Sequence, residues 1–561
     1  MRKKFGMAVL VTLFALAFLL GGCGGKPATQ EPAPPQPEAV QGGAVTIAQW
    51  SEPGNLNPLI WPTTYDTNIT QLVFDGLVKP NEKLELVGDL AEKWEFSQDR
   101  KTVTFHLRKG VKWHDGQPFT ANDVAFTLKS LADPNYDGGS YSRVEPILGA
   151  AEYHDGKAKD IEGIKVIDQE TICITTKDVY SPILAALSIA IVPEHILKNV
   201  PIANWQKDQF NRQPVGTGPF KFVKWESGQY VELEANKDYF EGAPKIDRIV
   251  FKFGDQNTML AAFLNKEVDV CQVPVGEVDS VKGLDWADLV VFDSLSFQYV
   301  GLNLLNPALA DPNVRQALAQ AVNREQIVKS LLRGYGKITN VPFPTSHWSY
   351  DPSFPGWAYD PAKAKELLDA AGWKLNEKTG IREKDGQQLK FTLYYPTGNL
   401  VRMQYAPILQ QNFQAIGVKL ELQAMDFPTL VTKLLPRDAS GKMRPNKASD
   451  FDMFLLGFGV ELDPDEYRPY FHSAYRPPKG YNFCSYVDPE MDRLLEDSVK
   501  EVDQGKRADL FHQIGRKLGQ DLPWIPMYTD QELYVVNKHL HNFKPGIHGL
   551  SRNVLEWYLT K

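Results

Sequence analysis

The chain has 561 residues, 61 Lys and Arg against 69 Asp and Glu, a formal charge of −8 and four cysteines. With 43% apolar and 11% aromatic residues it can fill large cores, and its length predicts about three domains. Four cysteines exclude a disulfide-built scaffold, no Cys-x-x-Cys pair suggests a zinc or redox site, and the acidic balance argues against a nucleic-acid-binding surface.

Arg2, Lys3 and Lys4 precede an apolar stretch at 5–20, which is shorter than the ~20 residues of a spanning helix and flanked as a secretory signal is. It ends in Leu20-Gly21-Gly22-Cys23, which resembles the bacterial lipobox, so Cys23 is expected to carry a diacylglyceryl group once residues 1–22 are removed. Residues 24–43, with Pro27, Pro32, Pro34, Pro35 and Pro37, lack hydrophobic periodicity and read as a semi-extended tether. At ~3.1 Å per residue it would hold the body within about 60 Å of a membrane surface. No second long apolar run follows. Of the three remaining cysteines, Cys173, Cys271 and Cys484, the first lies in the alternating run 171–175 and is expected as a buried strand thiol.

In the body, 44–50 reads as a strand and 66–77 as a helix, from Ile69, Leu72, Val73 and Leu77. Residues 93–107 alternate around Ser97-Gln98-Asp99-Arg100 and predict a hairpin, and Thr120 with Asp123 predicts a capped helix over Ala121–Leu131. Three Asp-Pro pairs, Asp311-Pro312, Asp360-Pro361 and Asp488-Pro489, predict helix starts: the carboxylate accepts free first-turn N–H groups, and Pro presets φ where its missing N–H is harmless. The amphipathic runs 314–332, 362–371 and 491–499 follow them, and Gly372 and Gly417 stand where C-terminal caps belong. Strand-like runs at 245–253, 268–273, 389–395, 418–423 and 451–456 alternate with helices and predict α/β lobes with substantially parallel sheets. No fixed-period repeat suggests a solenoid or propeller.

Reaction machinery is scarce. Ser440-Gly441-Lys442 has Pro436 where a phosphate loop needs glycine, and no Gly-x-Ser-x-Gly or His-Glu-x-x-His motif occurs. Gly216-Thr217-Gly218 before Pro219 reads as a tight turn. His539, His541 and His548 lack acidic or cysteine neighbours, so neither a metal nor another cofactor is expected. The cluster Glu461-Leu462-Asp463-Pro464-Asp465-Glu466 directly follows an apolar strand, and ligands of open α/β sheets bind at such strand ends. Three readings stand open for it: a calcium loop, although it lacks the EF-hand glycine and trailing glutamate; a solvated acidic loop; and a loop that recognises a cationic ligand.

Several motifs resemble one family. Leu90-Ala-Glu-Lys-Trp-Glu-Phe-Ser, Trp113-His-Asp-Gly-Gln-Pro-Phe-Thr-Ala-Asn-Asp-Val, Gly216-Thr-Gly-Pro-Phe, Tyr359-Asp-Pro-Ala-Lys-Ala-Lys and Asp521-Leu-Pro-Trp-Ile-Pro-Met-Tyr are similar to the extracellular solute-binding proteins of the peptide/nickel class, family 5, which feed ABC importers. The resemblance covers essentially 44–561. It implies an α/β, two-lobed periplasmic-binding-protein-like fold with an extra domain inserted in the first lobe and a hinge of two crossover segments. Lobe 1 is expected at 44–80, 193–295 and 522–561, the insertion at 81–192, and lobe 2 at 296–521.

It also implies a non-enzymatic, monomeric, lipid-anchored protein on the outer face of the cytoplasmic membrane, capturing oligopeptides for an ABC permease. An oligosaccharide or nickel chelate is the alternative ligand. From another class, a secreted hydrolase using the Glu461–Glu466 carboxylates would need carboxyl groups set apart across a substrate, which one loop rarely provides. By the same resemblance, an Asp after a Gly-Trp strand end holds the peptide ammonium. Here Phe458 stands for the Trp and Gly459 follows it. Glu461 aligns with the amine-binding position, and a loop one residue shorter leaves Asp463 as the other choice, with Asp465 beside it. Thr63, Thr64, Gln272, Tyr481, Asn482 and Phe483 complete the implied crevice. Leu455 lies near a position where short-peptide binders carry Arg, which points toward longer peptides or another ligand.

Overall fold

The computed structural model describes residues 39–40, 42–397, 399–440, 442–547, 549–551 and 553–561. The expected signal segment, the expected lipid attachment at Cys23, the expected tether up to residue 38 and His548 lie outside the described residues.

Local signals set most element starts. The Asp-Pro pairs cap as expected: Asp311 accepts from the Asn313 N–H at 2.8 Å, Asp360 from Lys363 at 2.9 Å and Asp488 from Met491 at 2.8 Å. The helices they open are Pro312–Ala321, Pro361–Ala370 and Pro489–Lys500. The helix Ala121–Leu131 starts on the Thr120–Asp123 capping box. Gly372 and Gly417 hold the positive φ, +86° and +82°, that ends the preceding helices. Two boundaries differ from expectation. The helix expected at 66–77 is α1, Thr64–Val73, because Thr63 and Asp66 cap it reciprocally. The run 314–332 divides after Ala321, since Asn323 caps a second helix, Arg324–Ser330, whose Gln326 N–H it satisfies at 2.9 Å.

One mixed sheet of eleven strands runs through the body. Its strands in chain order are β1 Ala44–Gln49, β2 Phe220–Glu226, β3 Tyr230–Ala235, β4 Arg248–Phe253, β5 Val270–Gln272, β6 Ala287–Leu302, β7 Gly336–Ile338, β8 Lys390–Pro396, β9 Lys419–Met425, β10 Met453–Gly459 and β11 Trp524–Asn537. The spatial order is β9-β8-β10-β6-β11-β5-β1-β4-β3-β2, with β7 beside β11. Pairing is parallel at β8/β9, β8/β10, β1/β4 and β1/β5, but the centre, β10/β6/β11/β5, is antiparallel. The pairings β4/β3 and β3/β2 at one edge are antiparallel too, so the expected parallel character holds only at those four pairings. The chain leaves one half along β6 and returns along β11, so these two long strands must run in opposite directions.

The buried cores divide along those strands. Val290, Phe292, Tyr534 and Val536 pack with a core that runs from Val45 to Trp557 and includes Phe105, Leu128 and Ile174. Val300, Ile525 and Tyr528 belong to a core with Leu318, Leu393 and Leu409, while Phe297, Tyr299 and Trp524 join an aromatic core with Phe454, Tyr467 and Phe471. Between these groups the β6/β11 register shifts, from Asp293 to Phe297 and again at Gln298/Tyr299. A separate four-stranded sheet at Ala91–Phe96, Thr102–Leu107, Ile164–Asp168 and Thr171–Thr175 shares the first core. There Ile172 and Ile174 point inward, so Cys173 is half-buried beside the Thr104 hydroxyl at 3.3 Å rather than buried as expected. Among the described residues no helix is long and apolar enough to cross a membrane.

Candidate functional site

Strand β10 is buried from Met453 to Leu456 and delivers the acidic loop into a cavity of about 2,090 Å³. Residues from both halves line it, among them Trp61, Thr64, Tyr141, Arg143, Glu461 and Tyr481. The volume exceeds the ~300–1,000 Å³ of ordinary small-molecule sites.

The loop is held from below by uncharged groups. The Val460 N–H donates to the Leu295 carbonyl of β6 at 2.7 Å, and the Leu462 carbonyl accepts from Trp348 Nε1 at 3.1 Å and His347 Nε2 at 3.4 Å. Burial pushes the His347 pKa down to about 4, so the ring is neutral; its Nδ1 accepts from the Ser349 N–H at 3.2 Å, which leaves Nε2 as the protonated nitrogen.

The four carboxylates of the loop have different surroundings. Asp463 caps the short turn Pro464–Tyr467 through the Asp465 N–H at 3.0 Å and forms a bidentate pair with buried Arg507, at 2.7 Å from Nη2 to Oδ1. Asp465 forms a second fork with Arg468, both contacts at 3.0 Å, and accepts from the Tyr180 hydroxyl at 3.2 Å. Glu466 accepts from the Glu461 N–H at 2.5 Å, and burial, then the Glu461 charge, raises its pKa well above the carboxylate range. All four line the cavity, but Glu461 is the exposed one: its side chain is 57% exposed, and its cationic partner is Arg143, contributed by the other half of the molecule. These placements separate carboxylates that spacing alone leaves equivalent.

The remaining expected residues scatter. Thr63 lines the cavity but spends its hydroxyl on the α1 cap, whereas Thr64 is exposed and lines the cavity. Tyr481, 48% exposed, also lines it, with its ring 5.6 Å from that of Tyr470. Asn482 is fully buried; its amide donates to the His472 and Tyr486 carbonyls at 3.2 and 2.8 Å and fixes the loop that presents Tyr481. Phe483 and Phe458 pack into the aromatic core, with Phe458 at 4.9 Å from Tyr470 and 5.5 Å from Trp524. Gln272 donates to Glu532 at 2.6 Å and does not line the cavity. Leu455 is buried in the second core. A Cβ on Gly459 would meet nothing, while one on Gly457 would lie 2.5 Å from Arg402 and 2.8 Å from the Gln298 amide. Of the histidines weighed for metal, His539 sits 2.8 Å from Asp269 and His541 is 2.9 Å from the Thr560 hydroxyl.

Sequence reasoning missed Arg143 and Tyr180. Both reach the acidic loop from the segment 81–192, and Ser181 adds a backbone bond to the Val499 carbonyl at 2.8 Å. Arg143 and Glu461 stand 318 positions apart, so no local spacing announces their contact.

The model of the bacterial extracellular solute-binding proteins, family 5, middle region, matches residues 85–478. The chain is 32% identical to the oligopeptide-binding protein AppA of Bacillus subtilis strain 168 over 566 aligned positions, covering all of both chains. The structure of B. subtilis AppA in complex with a nonapeptide superposes with a TM-score of 0.75 at 31% identity, over 93% of this chain and 100% of that one. Campylobacter jejuni NikZ in complex with Ni(L-His) superposes with a TM-score of 0.76 at 31% identity, over 92% and 99%.

Proposed function

The chain belongs to the family 5 bacterial extracellular solute-binding proteins, and from that premise we propose that it captures oligopeptides outside the cytoplasmic membrane and passes them to an ABC permease. The observation that carries this reading is the large two-sided cavity into which the strand-end loop presents one exposed carboxylate, Glu461. A peptide ammonium exchanged for the Arg143 guanidinium would form a charge-assisted bond there. Asp463 and Asp465, each held by an arginine, support the loop, and Thr64 and Tyr481 face the ligand.

In this reading 44–80, 193–295 and 522–561 form lobe 1, 81–192 its insertion and 296–521 lobe 2. The strands β6 and β11 are the hinge. Ligand contacts to both lobes favour the closed arrangement, in which Arg143 and Tyr180 meet the acidic loop, and no covalent step is involved. The protein acts as a monomer, anchored through a lipid on Cys23. Intact-mass measurement of detergent-extracted protein tests the anchor: the expected mass includes a diacylglyceryl group, absent from Cys23→Ser.

Calorimetric titration with a pool of random pentapeptides tests the ligand. Binding is expected, and Glu461→Gln should weaken it by roughly tenfold or more, the value of a charge-assisted hydrogen bond. Silence of the unaltered protein overturns the peptide reading, and equal affinity in the variant overturns the amine pocket. The likeness to NikZ supports a second reading, a nickel chelate. Native mass spectrometry of protein purified without unfolding separates the two by the mass of any retained ligand.

A further inference from the structure

The charge of the cavity wall points beyond peptide capture to the class of peptide. Among the described residues that line it are thirteen carboxylates and only five lysines or arginines. Burial raises the pKa of Asp75, Asp89 and Glu466; with these three counted as neutral, and with Asp463 and Asp178 set against Arg507 and Lys101 behind the wall, eight carboxylates still face five cations.

Three of the five cations are already engaged. Arg143 is paired with Glu461, Arg468 with Asp465, and Lys79 with Asp89 and Glu241. Lys177 and Lys500 are the remaining two. Against them stand Asp137, Glu145 and Glu556, which form no ion pair with Lys or Arg among the described residues, together with Glu496, whose contact is with His472. A cleft with low-dielectric walls focuses such an imbalance on whatever enters it. The wall also presents exposed aromatic rings, Trp61 at 62% and Tyr481 at 48%, whose faces attract cations.

We propose that this cleft selects basic oligopeptides, those whose side chains carry positive charge beyond the terminal ammonium. The proposal rests on the peptide reading above and adds the charge of the side chains to it. Main-chain and ammonium contacts alone would bind neutral, basic and acidic peptides of one length alike. A net negative wall ranks them instead, because each added ligand charge interacts with the surplus carboxylates rather than with a neutralised surface.

The test is a calorimetric comparison of three pentapeptides with free termini: alanine throughout, lysine at the second and fourth positions, and glutamate at those positions. The lysine peptide should bind about tenfold or more tighter than the alanine peptide, and the glutamate peptide weakest. The spread should narrow as salt is raised past the ~0.1 M at which exposed charges are screened within about 10 Å. Glu145→Gln should reduce the lysine-to-alanine ratio; because the ratio is taken within one variant, a general effect on folding cancels. Equal affinity for all three peptides, or a tighter glutamate peptide, overturns the charge selection while leaving peptide capture intact. Failure of all three to bind overturns both.

Discussion

Glu461 and Asp463 sit two residues apart, yet one faces solvent and the other neutralises a buried guanidinium. Asp463→Asn leaves Arg507, 3% exposed, without its fork partner, and removing one member of a buried pair costs about 3 kcal/mol or more. Urea unfolding should show that loss, whereas Glu461→Gln should shift stability by about 1 kcal/mol or less because its ion pair is largely solvated. Equal destabilisation by the two substitutions would refute this division of roles. His347 adds a pH dependence at the same loop. Burial depresses its pKa to about 4 from about 6.5, so between those values the unfolded chain holds a proton that the folded chain does not. Stability from this group is complete above pH 6.5 and is lost as pH falls toward 4, with a slope of up to about 1.4 kcal/mol per pH unit. His347→Gln, which keeps an amide donor toward the Leu462 carbonyl, should flatten the curve by one proton over that window, as followed by urea midpoints. His114, depressed to about 4 by burial, contributes a similar slope that the variant leaves in place.

At the scale of elements, what the sequence made legible follows from range. An Asp beside a Pro caps whatever helix follows, because the bonds span two or three residues, and Asp311, Asp360 and Asp488 all do so. The direction of the central strands was not legible, because the pairing of Ala287–Leu302 with Trp524–Asn537 depends on a return crossing more than two hundred residues later. Glycine shows the same divide. Gly457 and Gly459 look equivalent around Phe458, but only at Gly457 would a side chain strike neighbours, Arg402 and Gln298. Those two are joined at 2.9 Å, and the Gln298 amide donates at 2.8 Å to half-buried Asp530, which also accepts from the Ser296 hydroxyl at 2.9 Å. Gly457→Ala must push this chain of hydrogen bonds aside where β6 and β11 cross, for an expected loss of roughly 1–3 kcal/mol. Gly459→Ala, with open space around its Cβ, should change thermal stability by about 0.5 kcal/mol or less. A melting temperature lowered more by Gly459→Ala than by Gly457→Ala would contradict this account.

Across the whole molecule, two halves joined by two strands can move relative to each other at little cost only if few other bonds tie them. The ties across the cavity are few: the Arg143–Glu461 pair, the Tyr180 hydroxyl on Asp465, and Ser181, which meets the Val499 carbonyl through its N–H and the Ser498 carbonyl through its hydroxyl. None of them was legible in the sequence, because each joins positions 285 or more apart in the chain. Arg143 is 26% exposed and Glu461 57%, so their pair is worth about 0.2–1 kcal/mol in water. Removing it should lower the closed-to-open ratio of the ligand-free protein by up to about fivefold, which is the same energy written as a population. Arg143→Ala should accordingly raise the mean radius of gyration measured by X-ray scattering without ligand, and a saturating peptide should restore the compact value. In the proposed site the peptide ammonium takes the place of Arg143 at Glu461, so closure in the complex should not depend on Arg143. An unchanged radius in the ligand-free variant would show that the remaining three bonds, together with the Arg333–Asp279 pair between the two halves, hold them together without Arg143. A radius that stays large with peptide bound would mean that Arg143 is part of the liganded closure, and that the ammonium does not take its place.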